Sequence, residues 1–292
     1  MTSPLALRAK AEEQAALLPP LLARAGQLAS TVMLGQHGRR RAGQGDDFWQ
    51  YRAAQPGDPA AMIDWRRSAR GDTRFVRERE WQIAQSVMFW VDRSASMRFA
   101  SAPDLPEKAD RARLLAMALA VLLVRGGERV GLTGTALPPR RGNAQLHNLA
   151  SLFLDDDSAD YGIPEARAML PHARAVFVSD FLGDMAPVQA ALTKAADRGV
   201  RGLVVQVLDP SEEAFPFSGR TVFESMGGSL QHETLKASDL RQRYLQRLAD
   251  RKAALQALCH ATGWQFLCHH TNSPAQSALL WAWHGLSQAG GR

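Results

Sequence analysis

Runs of apolar residues separated by amphipathic stretches predict a parallel β-sheet protein. The run Val87–Val91 is continuous, contains β-branched and aromatic side chains, and stops at Asp92. Such a run is typical of a strand that is buried on both faces. Four further runs predict strands over 129–135, 175–178, 200–208 and 264–267.

Segments that fit helices alternate with these strands. The longest of them, 106–125, is followed by Gly126-Gly127, which is typical of a helix end. Further helices are predicted over 146–154, 163–170, 187–198, 240–259 and 274–286, and a hairpin-like insertion over about 211–238. Strands separated by helices predict an α/β fold with a doubly wound, mostly parallel sheet and Rossmann-type layering.

The part of the chain before Val87 has a different character. Residues 1–35 predict one or two helices, which are broken at Pro19-Pro20. Residues 36–84 predict a small N-terminal β-containing subdomain, in which aromatic and polar residues alternate around the turn Pro56-Gly57-Asp58-Pro59. A catalytic cluster of its Asp, Trp and Arg residues is the alternative, but no nucleophile–base arrangement is visible there. Residues 85–292 are predicted to form the main domain.

Length and composition narrow the class of protein. The chain has 292 residues, of which 46% are hydrophobic and 22% charged, as expected of a globular protein with a large core. Its most apolar segment, Leu114–Val124, is too short for a membrane span and fits a buried helix. The N-terminus lacks a signal-peptide core, so a cytoplasmic protein is predicted.

The net charge of +6 and the pI of about 9.8 raise the question of nucleic-acid binding. Arginines cluster at Arg39-Arg40-Arg41 and between 66 and 79, but aspartates and glutamates are interleaved with them. Mixed charge of this kind is typical of a solvated or ion-paired face. Nucleic-acid binding is therefore not the favoured function.

The two cysteines, Cys259 and Cys268, lie near His260, His269 and His270 in the sequence. These residues lack the closely paired spacing of structural zinc sites. We therefore interpret the cysteines as core thiols, which a cytoplasmic setting would keep reduced.

Polar side chains follow two of the predicted strands. Asp92, Ser94 and Ser96 come directly after the first, and Asp180 comes after the strand 175–178. The carboxyl ends of parallel strands meet at one edge of a sheet, so these oxygen donors should lie close together and suit Mg²⁺ or Mn²⁺. A turn or helix cap made of small polar residues is the alternative for Asp-x-Ser-x-Ser alone.

The segment Asp92-Arg93-Ser94-Ala95-Ser96-Met97 resembles the start of the metal-ion-dependent adhesion site of von Willebrand factor A-like domains. Together with Pro56-Gly57-Asp58, Ile63-Asp64-Trp65 and Ser68-Ala69-Arg70, it resembles the bacterial family called domain of unknown function fifty-eight. The likeness continues through Ser179-Asp180-Phe181 and Leu208-Asp209-Pro210 to the C-terminal helix. It covers nearly everything after about residue 36.

The resemblance implies that Asp92, Ser94, Ser96 and Asp180 are metal-site positions. In von Willebrand factor A-like domains the site normally also uses a threonine from a middle loop, and the predicted loop directly before Ile163 contains none. Ser158 or Asp160 could take its place.

The resemblance also implies partners, because such proteins are commonly encoded beside MoxR-type AAA+ ATPases. The chain lacks a Gly-x-x-x-x-Gly-Lys-[Ser/Thr] loop and is not itself the ATPase. We therefore expect a non-enzymatic adaptor that binds a client protein and such an ATPase through a divalent cation. The alternative is a metal-dependent phosphohydrolase or nuclease, although aspartyl phosphatases usually carry a second Asp where this chain has Ser94.

Overall fold

The computed structural model describes residues 20–33, 50–55, 63–69, 71, 73–78, 85–155, 157, 159–165, 167, 169–228 and 231–288. Contacts divide the chain into two units, one made of residues 38–84 and the other of residues 1–37 and 85–292. The predicted boundaries at 35/36 and 84/85 remain predictions.

The smaller unit contains a two-stranded antiparallel sheet. Strand β1 (Gln50–Ala53) pairs with β2 (Phe75–Glu78), and the short helix α2 (Trp65–Ser68) lies between them in the sequence. The carboxylate of Asp64 accepts a hydrogen bond from the backbone N–H of Arg67 and caps this helix. The predicted turn at 56–59 lies outside the described residues.

The larger unit is built on a five-stranded sheet in which every strand pair is parallel. Its strands stand in the order β4-β3-β5-β6-β9. They are β3 (Ser86–Val91), β4 (Arg129–Leu132), β5 (Arg174–Ser179), β6 (Arg201–Leu208) and β9 (Gln265–His270). With helices on both faces, this sheet confirms the predicted doubly wound α/β fold.

The two faces of the sheet pack against different helices because successive side chains of a strand point in opposite directions. Val87, Phe89 and Val91 contribute to one core, whereas Met88 contributes to the other. The first core is covered by a helix over residues 20–33, which we call α1, and by α3 (Lys108–Arg125), α4 (Asn143–Leu154) and α8 (Ala275–Gln288). The second is covered by α5 (Met185–Asp197) and α7 (Ala237–Thr262).

The predicted insertion after β6 begins with a short helix, α6 (Pro210–Ala214). An antiparallel hairpin follows, made of β7 (Thr221–Glu224) and β8 (Gln231–Thr234), which confirms the hairpin-like pattern. Helix α7 begins three residues before the predicted start at 240. No helix among the described residues has the length and apolarity needed to cross a membrane.

One predicted helix, over 163–170, is wrong. The described residues of that stretch are non-helical. The carbonyl of Arg167 accepts a hydrogen bond from the N–H of Gly134, which connects this stretch to the loop after β4. Apolar spacing alone does not reveal such a long-range partner.

Candidate functional site

The polar residues predicted from the two strand ends meet where the winding of the sheet reverses direction. The chain passes from β3 to β4 on one side, and then crosses to β5 on the other. Asp92 follows β3 and Asp180 follows β5, and the N–H of Asp92 donates to the carbonyl of Val178 at 2.9 Å. Ligands of doubly wound proteins bind in the crevice at such a switch point.

The Asp92 carboxylate is buried, with only 2% of the residue exposed. Its Oδ1 accepts a hydrogen bond from the Ser94 N–H at 2.9 Å, and its Oδ2 accepts one from the Ser179 hydroxyl at 2.6 Å. Burial and the nearby charge of Asp180 nevertheless raise the pKa of Asp92 above its ordinary value. The environment of this carboxylate therefore disfavours its charged form.

The two serines lie on a short loop directly after Asp92. The hydroxyl oxygens of Ser94 and Ser96 are 3.3 Å apart, and a single 3₁₀ turn begins at Ala95. The N–H groups of Ala95 and Ser96 donate to the carbonyls of Ala159 and Asp160, at 2.8 and 2.9 Å. This backbone pairing fixes the loop against the segment 159–162.

A buried lysine joins Asp180 to a second acidic residue. Lys108, at the start of α3, is 1% exposed, and its Nζ lies 2.9 Å from Asp180 Oδ2 and 2.6 Å from Glu212 Oε1. Burial alone would lower the pKa of the ammonium, but the charges of Asp180 and Glu212 outweigh it and raise the pKa. Burial, with the charge of Asp180, raises the pKa of Glu212, although Lys108 acts to lower it.

Asp180 is held by the backbone as well as by Lys108. Its Oδ1 accepts a hydrogen bond from the Leu182 N–H at 3.0 Å, and its carbonyl accepts one from the Gln206 side chain at 2.8 Å. Because Gln206 lies on the neighbouring strand β6, the sheet itself positions Asp180.

Gly162 covers the Asp92 carboxylate. A Cβ atom added to this glycine would lie 2.2 Å from Asp92 Oδ1, so any side chain here would displace the carboxylate. Of the two candidates for the missing threonine, Ser158 lies outside the described residues. The carboxylate of Asp160 accepts a hydrogen bond from Ser225 at 3.0 Å, which ties it to the loop after β7.

A cavity of about 630 Å³ opens beside this cluster. Lys108, Asp180 and Glu212 lie on its wall together with Ser96. Aromatic rings line much of the remainder, contributed by Phe99, Tyr161, Phe215, Phe217, Phe223 and Tyr244. Phe215 stacks on Phe223 with ring centroids 5.6 Å apart and lies 4.9 Å from the Tyr244 ring, so the hairpin and α7 form one continuous wall.

A divalent cation suits the donors and the charge of this cluster. Asp92, Asp180 and the two serines offer only oxygen, the donor that Mg²⁺ prefers. Lys108 pairs with Asp180 and Glu212, and Asp92 interacts with Asp180, so among these four described residues three carboxylates share one ammonium. All four oxygens of Asp92 and Asp180 already accept a hydrogen bond, but each retains a lone pair for a metal. Lys108 would compete with the cation for Asp180.

Sequence reasoning brought Asp92, Ser94, Ser96 and Asp180 together but missed Lys108 and Glu212. Lysine and glutamate are ordinarily exposed, and nothing in the local sequence marks either of them as buried. Lys108 is the first residue of α3, whose later part from Leu114 to Val124 is apolar, and Glu212 lies 104 residues further along the chain. Only the folded chain shows that they meet.

Comparison with known proteins places most of the chain in one family. The profile described as "Protein of unknown function DUF58" matches residues 50–254. The chain is similar to the "Uncharacterized protein Rv1480" of Mycobacterium tuberculosis (strain ATCC 25618 / H37Rv), with 27% identity over 256 residues. That match covers 82% of this chain and 80% of the relative. The "Uncharacterized protein Mb1516" of Mycobacterium bovis is similar to the same extent.

Two solved structures resemble the chain more distantly. The conserved hypothetical protein BatB from Bacteroides thetaiotaomicron matches with 18% identity and a TM-score of 0.42. An aerotolerance-related membrane protein from Bacteroides fragilis matches with 17% identity and a TM-score of 0.40. Each match covers 70% of this chain and 100% of the other.

Proposed function

The chain belongs to the family of proteins of unknown function DUF58, and on that premise we propose that it is a non-enzymatic adaptor that binds protein partners. The observation that carries this proposal is the excess of carboxylates at the switch point, beside an open cavity. A divalent cation bound there would offer a coordination position to a carboxylate of the partner. Asp92, Ser94, Ser96 and Asp180 are the residues that would hold it.

The side chains around the cation site have separate roles in this proposal. Lys108 keeps Asp180 and Glu212 in place by neutralising part of their charge. The aromatic wall supplies apolar contact area for the partner, and aromatic side chains and arginine are enriched in protein interfaces. Arg243 and Arg247 also line the cavity, and within the described part of the chain neither forms an ion pair.

The partner we propose is a MoxR-type AAA+ ATPase, with a client protein as the second contact. This assignment rests on the family, in which such ATPases are commonly encoded alongside. With this partner we also propose the cytoplasmic location predicted from the sequence.

The proposal is tested by capture of the purified ATPase on the immobilised chain, with Mg²⁺ and with EDTA. Asp92→Asn keeps an oxygen acceptor for Ser94 but removes the charge, and we expect it to abolish Mg²⁺-dependent capture. Asp197→Asn, at an exposed position at the end of α5, is the matched control and should capture normally. Capture that is unchanged by both EDTA and Asp92→Asn would contradict the proposal.

A metal-dependent phosphohydrolase or nuclease is the second candidate. It is favoured by Arg243 and Arg247, because two arginines near a cation site can bind a phosphate group. Assays with phosphomonoesters, phosphodiesters and nucleic acids across divalent metals distinguish the two functions. Turnover that disappears in Asp92→Asn but persists in Asp197→Asn would support the enzyme.

A further inference from the structure

A second group of metal-ligating side chains is made of residues other than those that would hold the cation described above, although the charge of Glu212 reaches both Cys268 and His270. It consists of Glu213 from α6 together with Cys268 and His270 from β9. One ligand atom from each residue lies within 4.8 Å of the others. Residues two apart on a strand point to the same face, so β9 presents the thiol and the imidazole side by side. Glu213, on helix α6, supplies the third ligand.

His270 and Glu213 approach each other closely. His270 Nε2 lies 2.5 Å from Glu213 Oε2, yet it is buried and makes no hydrogen bond within the described structure. A neutral imidazole nitrogen and a carboxylate oxygen this close are both suited to binding the same cation.

From this geometry we propose that Glu213, Cys268 and His270 form a binding site for Zn²⁺ or a similar borderline divalent cation. A sulfur, a nitrogen and an oxygen together select such an ion over Mg²⁺, which prefers oxygen alone. Three protein ligands leave a fourth position of a tetrahedral zinc for water or another ligand. The site is independent of the proposed adaptor function.

Lys252 is the group that this cation must displace. Its ammonium contacts the Glu213 carboxylate, and it also forms a hydrogen bond with Cys268. Lys252 lies on α7 with 24% of its side chain exposed, so its flexible stem can move the charge into solvent. On binding, the Cys268 thiol releases its proton to solvent, a Zn–S bond forms, and the ammonium leaves Glu213.

The second cysteine differs from Cys268 and provides a matched control. Cys259 is 1% exposed and packs in the core between the sheet and α7. Burial raises the pKa of both thiols, that of Cys259 to about 12, so the two cysteines differ in their neighbours. The prediction of core thiols therefore describes Cys259, whereas Cys268 faces Glu213 and His270.

The test is titration of the reduced full chain with Zn²⁺ by calorimetry, and with Co²⁺ by absorbance. We expect one ion per chain and a thiolate-to-cobalt charge-transfer band. Cys268→Ser should remove that band and weaken binding by roughly 100-fold or more, whereas Cys259→Ser should change neither. Lys252→Met should tighten binding, because the competing ammonium is gone.

Three results would overturn the proposal. They are the absence of stoichiometric binding, a cobalt complex without the thiolate band, and affinity that survives Cys268→Ser. Circular dichroism of each variant verifies that the fold is intact, and His270→Gln provides a second ligand variant if Cys268→Ser fails to fold. Mg²⁺ in excess should leave the titration unchanged, which separates this site from the proposed Mg²⁺ site.

Discussion

At the scale of single residues, Lys108 is the main electrostatic feature of the candidate site. A buried ammonium is costly unless it is paired and hydrogen-bonded, and Lys108 has two carboxylate partners. It supplies one positive charge where three acidic residues converge. The Lys108 ammonium is therefore a fixed positive charge of the protein itself. The acidic residues of the site still outnumber it.

Replacing Lys108 should destabilise the fold. Lys108→Met leaves Asp180 and Glu212 buried without their partner, and we expect the free energy of unfolding to fall by about 3–5 kcal/mol. Urea denaturation followed by circular dichroism measures this change. Mg²⁺ should restore more stability to the variant than to the wild type, because the cation no longer competes with the ammonium.

The matched control is Lys194→Met, at an exposed position on α5. We expect it to change the free energy of unfolding by less than about 0.5 kcal/mol. Equal stability of the two variants would show that Lys108 is not a structural counter-ion.

The raised pKa of Asp92 predicts a pH dependence of stability. An acid whose pKa is higher in the folded state binds protons more tightly there, so stability falls as the pH rises above the unfolded value of 3.8 and levels off above the folded pKa. Asp92→Asn removes this effect. In denaturation experiments over a pH series, the wild type should lose stability relative to Asp92→Asn as the pH rises through this range. A wild type that gains stability relative to Asp92→Asn as the pH rises would contradict the raised pKa.

At the scale of elements, the segment 159–162 crosses the carboxyl edge of the sheet and closes the candidate site. Two of its carbonyls pair with the serine loop, and Gly162 packs directly on Asp92. The wrongly predicted helix 163–170 continues the same segment. Among its described residues, the carbonyl of Arg167 binds the N–H of Gly134 in the loop after β4.

Gly162→Ala should disturb the site by steric contact. The added methyl group would lie 2.2 Å from Asp92 Oδ1, and we expect a loss of about 1–3 kcal/mol in the free energy of unfolding. The control is Gly26→Ala in α1, where an added Cβ meets nothing within 4 Å. That substitution should stabilise the protein by about 0.5–1 kcal/mol. Thermal unfolding of both variants decides whether Gly162 is required for close packing.

At the scale of the larger unit, the order of the strands determines where the site lies. Because β3 and β5 are neighbours while β4 flanks β3 on the other side, the chain leaves an opening above the ends of β3 and β5. The hairpin β7–β8 and α7 border this opening and turn it into a cavity. The candidate site therefore combines residues from distant parts of the chain.

The net charge of +6 also leads to an expectation for the whole chain. We expect weak binding to duplex DNA at low salt and its loss near physiological salt, because only non-specific phosphate contacts contribute. Fluorescence anisotropy with labelled DNA over a salt series measures this. Tight, sequence-dependent binding at physiological salt would contradict the interpretation of the arginines as a solvated or ion-paired face.

The sequence by itself determined the strands, most of the helices and the doubly wound arrangement. These features follow from the periodicity of apolar residues, which is a local property of the chain. The proximity of Asp92 and Asp180 was also predictable, since two parallel strands with polar ends bring those ends to one edge. The same reasoning predicted the hairpin-like insertion.

Only the tertiary structure decided which charged residues are buried and which distant side chains meet. Lys108 and Glu212, and likewise Cys268 and Glu213, come from different elements, and their contact depends on how those elements pack. Gly162 is similar, because its lack of a side chain matters only once Asp92 lies against it. Local patterns do not encode these contacts, since the free energy of burying a charge depends on the partner that the fold places beside it.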